Sequence, residues 1–97
     1  MPVATVAEIP PGQARMVEAG GRKLAIVNVG GSFHAVDNEC PHFGGPMALG
    51  KVDGPRLSCP WHGWTFDVTS GENVHSPALA LKCFELKVDG DQIYVKV

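Results

Sequence analysis

The chain has 97 residues and a formal net charge of −2 with acids and bases interspersed, which excludes a basic nucleic-acid face and a polybasic membrane patch. Gly and Pro together contribute twenty residues, a share that suits short strands joined by many turns rather than long helices. Three cysteines are an odd count, against a disulfide framework and for a reducing, cytoplasmic setting; no apolar run approaches a membrane span, and the first residues lack the basic and apolar regions of a secretory signal.

In chain order, strands are expected over Thr5–Glu8, Ala14–Glu18, Lys23–Val29 and Phe33–Val36, with Gly20-Gly21 and Gly30-Gly31 as the turns between the last three. From Asn38 to about Asp67 the chain is dense in Pro, Gly, Cys, His and Trp, and only short β segments are expected there, at Arg56–Ser58 and Trp64–Asp67. The pattern allows a short helix over Pro77–Leu81. Beyond it, Phe84, Leu86 and Val88 alternate with polar residues, as do Ile93, Val95 and Val97, and Asp89-Gly90 marks the turn of a hairpin with one face buried. The expectation is an all-β single domain, 1–97. A small antiparallel barrel or sandwich base is formed by 1–37 and 68–97, and a metal-binding lobe over about 38–67 is inserted in it.

The lobe carries the chemistry. Cys40-Pro41-His42 is followed, after sixteen residues, by Cys59-Pro60-Trp61-His62. Two thiolates and two imidazoles can close a structural zinc site or hold a 2Fe–2S cluster in which two histidines replace two cysteines on one iron. Buried small thiols and hydrogen-bonded loop imidazoles would not account for the pairing. Zinc fingers group a Cys pair and then a His pair around a helix. One Cys and one His per loop suits two metals instead, with each loop sending its Cys to one iron and its His to the other. A zinc-stabilised interaction module is the alternative of a different class. Pro41 and Pro60 stiffen the two loops, and Gly44, Gly45 and Gly63 admit close backbone approach. Trp61, Trp64 and Phe66 are expected to surround the lobe and limit water access.

No catalytic apparatus accompanies this set: His34 and His75 are the only other histidines, too few for a 2-His-1-carboxylate triad, and no Gly-rich dinucleotide fingerprint is present. His34 is expected as a surface or hydrogen-bond-satisfied strand histidine, His75 in a structural role, and Cys83 as a buried core thiol. Asp37, Glu39, Asp53 and Asp67 are expected as loop acids that could also help dock a partner.

The run Cys40-Pro41-His42-Phe43-Gly44-Gly45-Pro46, with Cys59-Pro60-Trp61-His62-Gly63-Trp64 and then Phe66-Asp67 and Ser70-Gly71, resembles the Rieske iron–sulfur family. The resemblance is greatest to the small Rieske-type ferredoxins of bacterial oxygenase systems. It implies the Rieske fold, a Rieske-type 2Fe–2S cofactor with Cys40 and Cys59 on one iron and His42 and His62 on the other, and no catalytic residues. It also implies a cytoplasmic, monomeric one-electron carrier, with an NAD(P)H-dependent flavoprotein reductase as donor and a terminal oxygenase as acceptor. Electrons would leave by the outer edges of His42 and His62. Ser76-Pro77-Ala78 matches a third loop that covers the cluster. The small subunit of assimilatory nitrite reductase-like enzymes shares the wording and is the nearer alternative.

Respiratory members of the family carry an extra Cys in each ligand loop, where this chain has Gly45 and Trp61, and a Ser and a Tyr donor where it has Trp64 and Phe66. Without those hydroxyl donors the reduced centre is less stabilised, which puts the expected potential low in the Rieske range, roughly −150 mV.

Overall fold

A computed structural model of the chain describes residues 2–39, 46–61, 63–76 and 79–96. The described elements are β1 (Ala4–Thr5), β2 (Ala14–Ala19), β3 (Arg22–Val29), β4 (Ser32–Asp37), β5 (Lys51–Asp53), β6 (Arg56–Ser58), β7 (Thr65–Asp67), β8 (Cys83–Asp89) and β9 (Gln92–Lys96). Single 3-10 turns lie at Val6–Glu8 and Met47–Leu49. The strands make a six-stranded antiparallel sheet in the order β1-β9-β8-β4-β3-β2, which curls towards a barrel, and a separate three-stranded sheet β5-β6-β7. The all-β expectation therefore holds.

β3 explains how the two sheets come to share one molecule. Its run Leu24-Ala25-Ile26-Val27 is fully buried, and alternate side chains leave the strand on opposite faces. Leu24 and Ile26 join Ala4, Ile9, Val17, Ala35 and Ile93 in the interior of the large sheet. Ala25 and Val27 join Val36, Met47, Leu57, Cys59 and Phe66, and so tie the small sheet to the other face. A strand buried on both sides reads as a continuous apolar run for this reason. Each fully buried Leu or Ile contributes about 2 kcal/mol.

The hairpins β2–β3 and β3–β4 pair in full register, from Ala14↔Val27 to Ala19↔Arg22 and from Leu24↔Asp37 to Val29↔Ser32. The single buried polar side chain inside this part, Asn28, is satisfied: its Nδ2 donates to the Ile9 carbonyl at 2.7 Å and its Oδ1 accepts the Gly31 N–H at 2.7 Å. β4 meets β8 through only two pairs, Ala35↔Phe84 and Val36↔Cys83, after which β8 turns to pair with β9.

Several expectations need correction. The first strand stops at Thr5, because the Glu8 carboxylate accepts the Thr5 N–H at 2.8 Å and closes a 3-10 turn over Val6–Glu8. β5 was not anticipated: it pairs Lys51↔Ser58 through Asp53↔Arg56, made possible by the close approach of Gly50 to β6. Among the described residues no helix occupies 79–81. The β8–β9 hairpin buries its apolar face only towards the base: Ile93 is fully buried, Phe84 and Leu86 are half-buried, and Val88, beside the turn, is exposed. Cys83 is exposed rather than a core thiol, because Phe84 and Leu86 carry the inward face of β8. Partial burial, with the Asp67 carboxylate as a lesser contribution, still raises the Cys83 thiol pKa. His34 is half-buried on β4, as expected of a strand histidine. Among the described residues no helix is long and apolar enough to cross a membrane.

Candidate metal centre

Of the four residues the sequence singles out, Cys59 lies among the described residues; Cys40, His42 and His62 lie outside them, as do Pro41, Phe43, Gly44, Gly45, Pro77 and Ala78. Among the described residues no three His, Cys, Asp or Glu side chains gather in one place. The site is therefore built from Cys59 and from the segments that flank each loop.

Cys59 follows β6 directly and is 3 % exposed, a free thiol whose side chain belongs to the core beneath the small sheet. The register Ser58↔Thr65 sets the base of its loop. Inside the loop the Cys59 N–H donates to the Trp64 carbonyl at 2.7 Å and the Gly63 N–H donates back to the Cys59 carbonyl at 3.0 Å. Gly63 has φ +70°, the left-handed region that lets the chain reverse here without steric cost. The base is reinforced by side chains: the Ser58 and Thr65 hydroxyls are 2.8 Å apart, and Thr65 Oγ1 donates to the Gly63 carbonyl at 3.2 Å.

The shoulders of the first loop are held by Asn38, which is 7 % exposed. Its N–H donates to the Lys23 carbonyl at 3.1 Å, its carbonyl accepts the Met47 N–H at 2.7 Å, and its Oδ1 accepts the Ala48 N–H at 2.9 Å. Glu39 and Pro46 form a bridge just inside these bonds. Asn38 thus ties the end of β4, the first loop's entry and its exit together through its own backbone and one buried side chain. The two loops meet where Gly50, which follows Met47–Leu49, lies against the Ser58 carbonyl; a Cβ at position 50 would occupy the space of that oxygen.

A third buried amide shapes the segment after β7. Asn73, 5 % exposed, accepts the His75 and Ser76 N–H groups on its Oδ1 at 2.9 and 3.0 Å, and its own N–H donates to the Leu79 carbonyl at 2.9 Å. With His75, Ser76 and Leu79 it lines an open cleft of about 360 Å³ whose other wall is Gly63 and Trp64. The third segment thus faces the outgoing arm of the second ligand loop.

Of the aromatic residues expected to shield the lobe, Phe66 is fully buried and Trp64 half-buried against the same core, whereas Trp61 is 57 % exposed and turns its ring to solvent. The acids divide similarly. Glu39 and Asp53 are exposed, whereas Asp37 and Asp67 are half-buried and organise local backbone: Asp37 Oδ1 accepts the Glu39 N–H at 3.0 Å, and Asp67 Oδ1 accepts the Thr69 N–H at 2.9 Å and its hydroxyl at 2.5 Å. Those Thr69 bonds hold the Asp67 carboxyl below its usual pKa, with smaller help from Arg56 and His34. The three buried or half-buried clasps, at Asn38, Ser58–Thr65 and Asn73, escape a sequence reading. Asn73-Val74-His75-Ser76 does carry the Asx-turn signature.

These features fit a cluster-binding lobe. A thiol buried at a loop base with no hydrogen-bond partner among the described residues, a reversed glycine beside it, and a loop fixed by backbone bonds at both ends are what thiolate ligation of a buried metal requires. The profile of the Rieske [2Fe-2S] domain family matches residues 1–85, and the chain belongs to that family. Its cofactor is a Rieske-type 2Fe–2S cluster.

Apoptosis-inducing factor 3 of Homo sapiens is 37 % identical over 95 residues, covering 97 % of this chain, and this chain spans only 16 % of that protein. The ferredoxin CarAc of Metapseudomonas resinovorans is 34 % identical and the match covers 96 % of this chain and 89 % of CarAc. A chain in the solved complex of reduced oxygenase and oxidised ferredoxin of carbazole 1,9a-dioxygenase superimposes with a TM-score of 0.90, at 33 % identity, over 99 % of this chain and 100 % of that one. CarAc and the ferredoxin component of the naphthalene 1,2-dioxygenase system of Pseudomonas aeruginosa, which is 33 % identical over 89 residues, are relatives of matching length, with 89 % and 86 % of their own chains covered.

Proposed function

We propose that this chain relays single electrons from an NAD(P)H-dependent flavoprotein reductase to a terminal oxygenase, as a monomer. Cys40 and Cys59 hold one iron of the cluster and His42 and His62 the other. The cluster supplies a one-electron couple, formally neutral when oxidised. The protein's part is to hold four ligands on two loops, to keep Cys59 from solvent, and to leave one end open for a partner. The observation that carries this reading is likeness over the whole length to a ferredoxin solved with its oxygenase. The single-domain extent, 1–97, with the lobe at 38–67, belongs to the same proposal.

The ligand loops, the third segment and Trp61 form the end that partners meet in turn, through a small and transient interface. Phe66 is fully buried and, like Trp64, offers no hydroxyl to the cluster. That supports a potential low in the Rieske range, roughly −150 mV. A midpoint clearly above zero in a redox titration would overturn that part.

The whole is tested by mixing anaerobically reduced protein with the terminal oxygenase of a carbazole-type dioxygenase system. Reoxidation of the protein coupled to substrate turnover is expected. Failure to transfer, together with stable co-purification on a nitrite reductase catalytic subunit, would replace the reading with the enzyme-subunit alternative. Zinc content without visible absorption would remove both.

A further inference from the structure

The hydroxyl pair at the base of the second ligand loop does more than pair two strands. Gly63 O can only accept, so Thr65 donates its proton there and Ser58 must donate to Thr65 Oγ1. The chain runs from Ser58 Oγ–H to Thr65 Oγ1–H to the Gly63 carbonyl. The Gly63 N–H is already engaged by the Cys59 carbonyl at 3.0 Å. Both peptide groups of Gly63 are therefore tied, one to the cysteine's backbone and the other, through Thr65, to the sheet. An ordinary cross-strand hydroxyl pair ends on itself and contributes only to the ladder. This one continues into the loop backbone, at the residue that follows His62 in the sequence.

Resting on the ligand set proposed above, we propose that Ser58 and Thr65 are positioning residues for the cluster: by fixing the Gly63 peptide they hold the outgoing arm of the second loop against the backbone of Cys59. The Ser58–Thr65 bond is half-buried, so water replaces it only in part when it is removed, whereas the Thr65–Gly63 bond is exposed and holds against water by its place in the chain of bonds.

The test uses the cluster-loaded protein and four chains: the native one, Thr65→Val, Thr65→Ser and Ser58→Ala. Thr65→Val keeps the shape and deletes both bonds, Thr65→Ser keeps the hydroxyl, and Ser58→Ala leaves Thr65 with its bond to Gly63. Two readouts are followed: the rate at which an iron chelator bleaches the visible bands, and the EPR line shape of the reduced protein, which a merely structural role would not move. Thr65→Val loses one half-buried bond and one exposed bond that water largely replaces, and is expected to bleach about fivefold faster, about one net hydrogen bond's worth in total, with shifted g values. Thr65→Ser is expected to match the native chain and Ser58→Ala to fall between.

An unchanged rate and line shape in Thr65→Val, or equal impairment in Thr65→Ser, would overturn the proposal. If Thr65→Val does not fold, Ser58→Ala decides: faster bleaching supports the clamp and an unchanged rate overturns it. A native chain with no Rieske signal would fail the ligand reading itself, which is a separate result.

Discussion

The interior of the six-stranded sheet and the core beneath the ligand loops both centre on β3, yet they are held together differently. On the base side, strands of up to eight residues make long ladders, and Leu24, Ile26 and Ile93 fill the space between them. On the lobe side the strands are three residues each, and the loops depend on a few individual contacts, among them Asn38 to Ala48, Thr65 to Gly63 and Gly50 against Ser58. Ladders distribute stability over many equivalent bonds, so one loss is absorbed. A loop pinned by a few dissimilar bonds has less redundancy, and its geometry fails before the fold does. Damage to the base should therefore register as lost stability, and damage to the lobe as a lost or altered metal centre.

The largest expected effect breaks the lobe alone. Cys59→Ser removes a proposed ligand while leaving a side chain of similar size in the buried site, and His62→Cys alters the ligand set on the other iron. Either is expected to abolish the Rieske EPR signal while circular dichroism stays that of a β protein. A normal signal in either variant would refute the ligand assignment.

A cavity in the base is the matching experiment. Ile26→Ala removes a fully buried side chain from the interior of the large sheet and is expected to cost about 3 kcal/mol in denaturant unfolding. The surviving folded fraction should give an unaltered EPR spectrum, because Ile26 faces away from the core that contains Cys59. An altered spectrum would mean that the two sides of β3 are coupled and that the comparison is wrong.

Gly50→Ala should do the reverse. The added methyl meets the Ser58 carbonyl, backbone that cannot swing aside, one residue before Cys59. The expected loss is about 2 kcal/mol from overpacking, accompanied by poor cluster incorporation. Good incorporation with the same stability loss would separate Gly50 from the metal centre.

The same contrast explains what could be read from the residues alone. β2, β3, β4, β8 and β9 are long enough for alternation and glycine turns to reveal them, and β3 betrays its double burial by its unbroken apolar run. The proposed ligand pairs are equally plain, because metal chemistry demands rare residues at short spacings. The pinning contacts are not legible in this way. Lys51-Val52-Asp53 carries two charges in three residues, and it becomes a strand only because Gly50 lets it approach β6. Asn38 and Asn73 look like loop amides until burial makes them obligate hydrogen-bonders. Cys83 departs from its expected burial for a simpler reason: alternation along β8 puts it on the opposite face from Phe84. The Thr5-x-x-Glu8 spacing, by contrast, was a visible signal of the turn that shortens β1.

The smallest expected effect compares two carboxylates, one on each side. Thr69 holds the Asp67 carboxyl below its usual pKa in the lobe, and Thr5 does the same for Glu8 in the base, through its N–H first and its hydroxyl second. For each, the unfolded chain takes up its proton first as pH falls, at about 4. The stabilising contribution is therefore fully present above that pH and is lost as pH drops through the lower folded value. Glu8 is exposed and Asp67 only half-buried, so each slope should be shallow. Asp67→Asn and Glu8→Gln should each flatten the fall of the unfolding midpoint below about pH 4. They should differ in the visible bands: Asp67 ends β7, the strand that carries the outgoing arm of the Cys59 loop, so only Asp67→Asn should change the pH at which the bands begin to bleach. Equal bleaching curves for the two variants would show that the lobe takes its acid stability from the whole fold rather than from its own contacts.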